Sequence, residues 1–180
     1  MSTSPQAEGL RVQVNVAGSG GANVDTGFPV LDRLLSLVAE YAEFDLVAAV
    51  APGRAADDAA AVGGALGDEL SKHLRAQDAR GYGSAALPAG EALAHVVLEV
   101  SDRPLLVSNV DLSDTNVGGL GTDVVTEFLR RLAVGAGITL HVRLIAGDDA
   151  QHVLEAMFKA LGVALSQACR PRRTRQDEQQ

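Results

Sequence analysis

The clearest hydrophobic pattern lies near the C-terminal end of the chain, in residues 147–165. Asp149 precedes it as a candidate helix N-cap, because a short carboxylate can accept the free backbone N–H groups of a first turn. His152, Glu155 and Lys159 follow at i, i+3 and i+7 and form a polar stripe. Apolar residues at helical spacing predict a buried face opposite this stripe. They are Leu154, Met157, Phe158, Leu161 and Leu165.

Strand and helix patterns alternate through the rest of the chain. Residues 10–16 alternate with period two, which is typical of a half-buried strand, and the turn at 18–21 predicts a hairpin to a second strand at 22–26. Helices are predicted at about 30–42, 55–74 and 122–134. Further strands are predicted at 44–50, 85–87, 93–100, 104–110 and 138–145, with a turn at 81–83 and a glycine-rich loop at 116–121.

Two adjacent glycines interrupt the second predicted helix. Gly63 and Gly64 each weaken a helix by about 1 kcal/mol relative to alanine. Either another part of the chain packs very close there, or side chains have been lost.

The two halves of the chain resemble each other. Leu46 corresponds to Leu140, and residues 65–67 correspond to residues 160–162 with nearly the same offset. In both halves the predicted order of elements is strands, a helix, a strand and a second helix. This self-similarity predicts two related units whose apolar faces pack together.

Composition and charge argue against some classes of function and partner. The 180-residue chain has a formal net charge of −8, which argues against non-specific nucleic-acid binding. Its single cysteine, Cys169, fits a reducing compartment. No stretch approaches the roughly 18 uninterrupted apolar residues of a membrane span, and the N-terminus shows no charged-then-apolar signal pattern. We expect a cytoplasmic protein without nucleic-acid or membrane partners, with disordered ends at residues 1–9 and 171–180.

Three segments resemble imidazoleglycerol-phosphate dehydratase. Residues 26–35 and 44–46, Thr-Gly-Phe-Pro-Val-Leu-Asp-Arg-Leu-Leu and Phe-Asp-Leu, are similar to that family's Thr-Gly-x-x-Phe-Leu-Asp-His-Met-Leu and Phe-Asp-Leu. Ser-Asp-Arg-Pro at 101–104 resembles Ser-Gly-Arg-Pro. The helix after Asp149 resembles Asp-His-His-x-x-Glu-x-x-Phe-Lys-Ala-Phe-Gly. The resemblance covers about residues 10–170.

The resemblance implies an α+β fold, a reaction and an assembly. The fold would be one domain over residues 10–170 with two pseudo-repeats of a β-β-α-β-α unit (ribosomal protein S5 domain 2-like), at about 10–80 and 81–169. Helices would pack on one face of each sheet. The family removes water from imidazole glycerol phosphate in histidine biosynthesis, using paired manganese ions held by histidines and glutamates of both repeats. It forms a 24-mer of cubic symmetry with metal sites between subunits.

Most residues implied as metal ligands are replaced in this chain. Of the second His-His-x-x-Glu motif, only His152 and Glu155 remain, and Glu155 is the residual catalytic candidate. Arg103 and Lys159 match two groups implied to bind the substrate phosphate, while a third, an arginine, falls on or near Tyr82. The remaining ligand positions hold Ala7, Arg33, Ala56, Asp57, Ala60, Glu127 and Gln151.

These replacements predict the loss of the metal site. A divalent transition metal usually needs three or four suitable ligands, and Arg33 places a cation where a ligand is implied. We therefore expect no dimanganese site and no cofactor. One alternative is a weak metal site of Glu127, His152 and Glu155, together with Asp57 of a neighbouring subunit. The other is that His152 and Glu155 only hydrogen-bond each other, while Arg103 and Lys159 pair with local carboxylates.

Three hypotheses for function remain from the sequence. The first is a non-catalytic family member that keeps the fold and the homo-oligomer, or joins an active paralogue in a hetero-oligomer. The second is an active lyase with an altered metal site. The third is an assembly or regulatory subunit, or a module that binds a phosphate-bearing small molecule.

Overall fold

The computed structural model describes residues 9–51, 55–112 and 115–173, with the side chains of residues 55–57 left out. Its elements follow the predicted order closely. The first half contains β1 (Leu10–Asn15), β2 (Ala22–Asp25), α1 (Pro29–Ala42), β3 (Asp45–Val50) and α2 (Ala55–Leu74). The second half contains β4 (Tyr82–Ala89), β5 (Ala92–Val100), β6 (Leu105–Ser108), β7 (Asn116–Val117), β8 (Leu120–Gly121), α3 (Thr122–Ala136), β9 (Ile138–Ala146) and α4 (Ala150–Cys169).

Each half builds one sheet with the same topology. The first sheet has the order β1-β3-β2, and the second has the order β4-β5-β9-β6. In both, the last strand of the repeat lies between an antiparallel neighbour (β1 or β5) and a parallel neighbour (β2 or β6). The α+β fold of two β-β-α-β-α repeats is therefore confirmed, with β4 added at the edge of the second sheet.

The predicted hairpin between the first two strands is wrong. β1 and β2 do not pair with each other, because β3 lies between them. The turn at residues 18–21 passes the beginning of β3, where Asp45 Oδ1 accepts hydrogen bonds from the backbone N–H groups of Ser19 and Gly21 at 3.0 Å each. These bonds lower the pKa of Asp45. The turn thus reverses the direction of the chain, but it carries β2 to the other side of β3 instead of beside β1.

The four helices form the interior layer between the sheets. α2 packs against α3, and α1 packs against α4. Each helix of the first half therefore contacts a helix of the second half. Side chains on the inner face of the second sheet, such as Val96 and Leu98, are buried, whereas Val97 and Glu99 on its outer face are exposed. This arrangement confirms that helices pack on one face of each sheet.

The α2–α3 crossing explains one of the two adjacent glycines. A Cβ atom at Gly63 would lie 2.5 Å from the carbonyl oxygen of Phe128, and one at Gly67 would lie 2.6 Å from the backbone nitrogen of Ala136. A Cβ atom at Gly64 would meet nothing within 4 Å. Close backbone packing therefore requires Gly63, while the space beside Gly64 is open.

Two loops and the C-terminal segment differ from the sequence prediction. Tyr82 and Gly83 are the first residues of β4 rather than part of a turn, and the loop at 116–121 contains the short β7–β8 hairpin. Residues 171–173, predicted as the start of a disordered tail, run along residues 78–80 through backbone hydrogen bonds. Among the described helices, none is long and apolar enough to cross a membrane.

Candidate functional site

The candidate site lies around the first two turns of α4. Asp149 caps this helix, since its Oδ1 accepts a hydrogen bond from the backbone N–H of His152 at 3.0 Å. The predicted N-cap is thus confirmed. The predicted core face is also confirmed, because all five of its apolar residues are buried. His152, Glu155 and Lys159 are half-buried at the surface of the packed helix.

His152 is paired with a residue that the sequence analysis missed. Its Nδ1 donates to Glu91 Oε2 at 2.5 Å, and Glu91 Oε1 also accepts from the backbone N–H of Asp149 at 2.9 Å. The backbone N–H of Asp149 and the His152 side chain lower the pKa of Glu91 to about 2. The hydrogen bond to Glu91 in turn raises the pKa of His152. The pair therefore favours a protonated imidazole.

Glu155 is paired with Arg33 from α1. Arg33 Nε lies 3.7 Å from Glu155 Oε1, and the side chain of Glu155 is only 15% exposed. Gln151 Nε2 donates to the same oxygen at 3.4 Å. The alternative hydrogen bond between His152 and Glu155 is not formed, because each side chain is held by a partner outside the stripe. Within the chain, His152 is thus paired with Glu91 and Arg33 with Glu155.

A cavity of about 240 Å³ separates the first turns of α1 and α4 from the β7–β8 hairpin. The polar side chains that line this cavity are those of Arg33, Gln151 and Glu155. Its other lining residues are mainly apolar. This arrangement offers a small, largely apolar space with one ion pair. It does not present a free carboxylate to a substrate.

Glu127 lies away from this cavity, on α3. Its carboxylate accepts hydrogen bonds from Arg131 at 2.9 Å and from Arg130 at 2.5 Å, and these bonds lower its pKa. Among the described residues no group of three or more histidine, cysteine, aspartate and glutamate side chains could hold a metal ion. His152, Glu155 and Glu127 therefore do not fit a dimanganese centre in the described part of one chain.

The two predicted phosphate-binding residues lie at opposite ends of the second sheet. Lys159 Nζ donates to the carbonyl oxygen of Pro88 at 3.2 Å and lies 5.4 Å from the ring centre of Tyr41. Pro88 pairs with Leu93, whereas Arg103 follows the other end of β5. From Leu93 to Val100, where β5 ends before Arg103, there are seven residue steps, which at about 3.3 Å each span roughly 23 Å. One chain does not bring Lys159 and Arg103 to a single phosphate.

Some implied ligand positions lie outside the structural description. Ala7 lies in residues that are not described, and the same holds for the side chains of Ala56 and Asp57. Glu91, in contrast, is described but could not be found from local spacing. The only sequence signal for it is the Gly90-Glu91 turn between two predicted strands, which packs over the start of α4.

The chain matches the family model of imidazoleglycerol-phosphate dehydratase over residues 26–165. It is 40% identical over 166 residues to the imidazoleglycerol-phosphate dehydratase of Acetivibrio thermocellus, which covers 89% of this chain and 85% of that protein. It is 41% identical over 165 residues to that of Desulforudis audaxviator, covering 89% and 84% of the two chains.

Two solved structures share the fold. The crystal structure of imidazoleglycerol-phosphate dehydratase from Staphylococcus aureus gives a TM-score of 0.84 at 29% identity, covering 95% of this chain and 97% of that one. The enzyme from Pyrococcus furiosus gives a TM-score of 0.77 at 27% identity, covering 91% and 89%. The chain therefore belongs to the imidazoleglycerol-phosphate dehydratase family.

Proposed function

We propose that this chain is a member of the imidazoleglycerol-phosphate dehydratase family that lacks the dimanganese site and dehydration activity. It keeps the fold and serves as an assembly or regulatory subunit. The observation that carries the proposal is the ion pair between Arg33 and Glu155 at 3.7 Å. The family resemblance implies a histidine at the position of Arg33, so a permanent cation stands where a metal ligand is implied.

The charges around α4 support the same conclusion. An imidazole ligates a metal in its neutral form, because metal binding releases the proton. Glu91 raises the pKa of His152 and thereby favours the protonated form. Glu155 is engaged by Arg33 and Gln151, and Glu127 by two arginines. Each remaining candidate ligand is therefore satisfied within the chain by a partner that competes with a metal ion.

The extent of the fold supports a role in assembly. Structural similarity to the Staphylococcus aureus protein covers 95% of this chain, so the loss of ligand residues has not been accompanied by loss of elements. We propose a homo-oligomer, or a hetero-oligomer with an active paralogue. In the hetero-oligomer this chain would supply surfaces rather than ligands.

Metal content and turnover test the proposal together. The protein purified with added manganese is analysed by inductively coupled plasma mass spectrometry, and water loss from imidazole glycerol phosphate is followed in the same sample. The relative from Acetivibrio thermocellus, prepared identically, is the positive control. We expect less than about one tenth of a manganese ion per chain, and turnover at least about 10³-fold below the control, since disturbing single supporting groups already costs 10- to 100-fold.

Stoichiometric manganese together with measurable water loss would contradict the proposal and favour the active lyase with an altered site. Co-expression with that relative tests the hetero-oligomer. An affinity tag on this chain should retain the untagged relative if the two assemble. Recovery of this chain alone restricts the assembly role to the homo-oligomer.

A further inference from the structure

A cavity of about 770 Å³ lies between α3, β6, the first two turns of α4 and the segment that follows β6. We call it the α3 cavity. Its volume lies within the range of roughly 300–1,000 Å³ that is typical of small-molecule sites. We propose that the α3 cavity binds a small organic cation that has an apolar body and one ammonium group. The proposal does not depend on the proposed function, because no residue implied to bind metal or phosphate is among the described residues that line the cavity.

Hydrogen bonds fix the wall of the cavity that follows β6. Asn109 Nδ2 donates to the carbonyl oxygen of Leu144 on β9 at 3.3 Å, and Asn109 Oδ1 accepts from the backbone N–H of Leu144 at 2.8 Å. At the start of α3, Thr122 Oγ1 donates to the carbonyl oxygens of Leu112 and Thr115. The backbone N–H of Thr122 also donates to Thr115, at 3.1 Å. The wall is therefore held against both β9 and α3, and the cavity is formed without a ligand.

The floor of the cavity is apolar. Val125 and Leu129 of α3 and Leu154 and Met157 of α4 line it, and each is otherwise buried in the core. Apolar surface that faces water in a cavity favours a ligand that covers it. Methionine adds adaptability, because its unbranched side chain adjusts to ligands of different shape. The floor therefore fits the apolar body of the ligand.

The charged side chains of the lining favour a cation over an anion. They are Asp111, Asp123 and Arg130. Arg130 is engaged within the chain, since its Nη1 donates to Glu127 Oε2 at 2.5 Å. Asp123 is exposed and makes no ion pair among the described residues. A carboxylate binds a charged donor more strongly than a neutral one, so Asp123 is the proposed partner of the ammonium group.

Titration calorimetry at about 0.15 M salt tests the proposal with tryptamine, which joins an indole ring to one ammonium group. Indole-3-propionate is the matched comparison, because a carboxylate replaces the ammonium group on the same side chain. Spermidine supplies positive charge without an apolar body. We expect tryptamine to bind at least about tenfold more tightly than either compound, since only tryptamine satisfies both the floor and the carboxylate.

Two pairs of variants locate the binding. Asp123→Asn should weaken tryptamine binding by at least about threefold, and Asp25→Asn, which removes an exposed carboxylate from β2, should change it by less than about 1.5-fold. The second control is needed because the net charge of −8 attracts any cation weakly. Thr126→Phe places a ring in the cavity and should weaken binding at least about tenfold. Val134→Phe adds the same ring to an exposed position of α3 outside the cavity and should have little effect.

Four results would overturn the proposal. They are absence of tryptamine binding to the wild-type protein, equally tight binding of indole-3-propionate, equal weakening by Asp123→Asn and Asp25→Asn, and unchanged affinity in folded Thr126→Phe. Tighter binding of an acetylated and amidated Leu-Lys-Leu peptide than of tryptamine would indicate a partner chain and would also overturn it. Circular dichroism shows whether each variant is folded, and the Asp123→Asn pair decides the proposal if Thr126→Phe is not.

Discussion

At the scale of single residues, the contact between Glu91 and His152 makes stability depend on pH. The pKa of His152 is raised above its ordinary 6.5, so its contribution is full below that pH and is lost as pH rises through the higher value. The pKa of Glu91 is lowered from 4.5 to about 2, so its contribution is full above 4.5 and is lost as pH falls. The contact is therefore strongest between these two ordinary values.

Glu91→Gln should lower Tm in this window. We expect a decrease of less than about 4 °C at pH 6, because both side chains are nearly half exposed and water screens their attraction. The decrease should become smaller at pH 9. Glu40→Gln, which changes another exposed carboxylate, is the control. Calorimetric scans showing an equal decrease at both pH values would contradict the expectation.

Cys169 should be a slow-reacting thiol. Burial raises its pKa to about 12, and only the thiolate reacts readily with disulfide reagents. At pH 8 we expect labelling of the native protein at least about a hundredfold slower than of the protein unfolded in guanidinium. The release of chromophore from an aromatic disulfide reagent measures both rates. Similar rates in the two states would show that the thiol is accessible.

The sequence identified the parts of the site that depend on local spacing. Asp149, His152, Glu155 and Lys159 could be predicted because one helix places them together. Glu91 could not, because it is 61 positions from His152 and meets it only when β4, β5 and α4 pack. The distance between Lys159 and Arg103 could likewise not be predicted, because it depends on how the strands pair.

At the scale of elements, the α2–α3 crossing predicts different effects of substitution at two glycines of α2, Gly64 and Gly67. Gly67→Ala would place a Cβ atom 2.6 Å from backbone atoms of Leu132 and Ala136, which cannot move without shifting α3. We expect destabilisation by about 1–3 kcal/mol, as for other overpacked cores. Urea unfolding followed by circular dichroism measures this loss.

Gly64→Ala is the matched variant. Its Cβ atom meets nothing within 4 Å, so the greater helix propensity of alanine should raise stability by up to about 1 kcal/mol. The two substitutions should therefore have opposite signs in the same helix. If both destabilise equally, the space beside Gly64 is not open; if Gly67→Ala causes no loss, the helices do not cross as closely as described.

Element types were predictable, and strand pairing was not. The alternation of residues 10–16 predicted a strand, and the helical spacing in α4 predicted its buried face. Both predictions are confirmed, because such patterns indicate which side of an element is buried. Pairing depends on contacts distant in sequence. β3 lies between β1 and β2, and its first residue, Asp45, accepts hydrogen bonds from the turn at 18–21; no pattern within the first 26 residues contains these contacts.

At the scale of the whole molecule, chelation tests the proposed metal-free assembly. Light scattering should give a mass several times the 18.6 kDa of one chain, and ethylenediaminetetraacetate should change neither this mass nor Tm. A ligand bound only to the folded state raises stability, so removing a structural metal would lower Tm. A mass of one chain, or dissociation by the chelator, would contradict this expectation.

The pairing of α1 with α4 and of α2 with α3 has a further consequence. The chain passes from the first half to the second through residues 75–81, and residues 78–81 are hydrogen-bonded to the C-terminal segment of the second half. A break between Ala76 and Gln77 would leave both sheets and both helix pairs intact. The two fragments, produced separately, should therefore recognise each other and reconstitute the fold, which makes this protein a natural starting point for a split reporter.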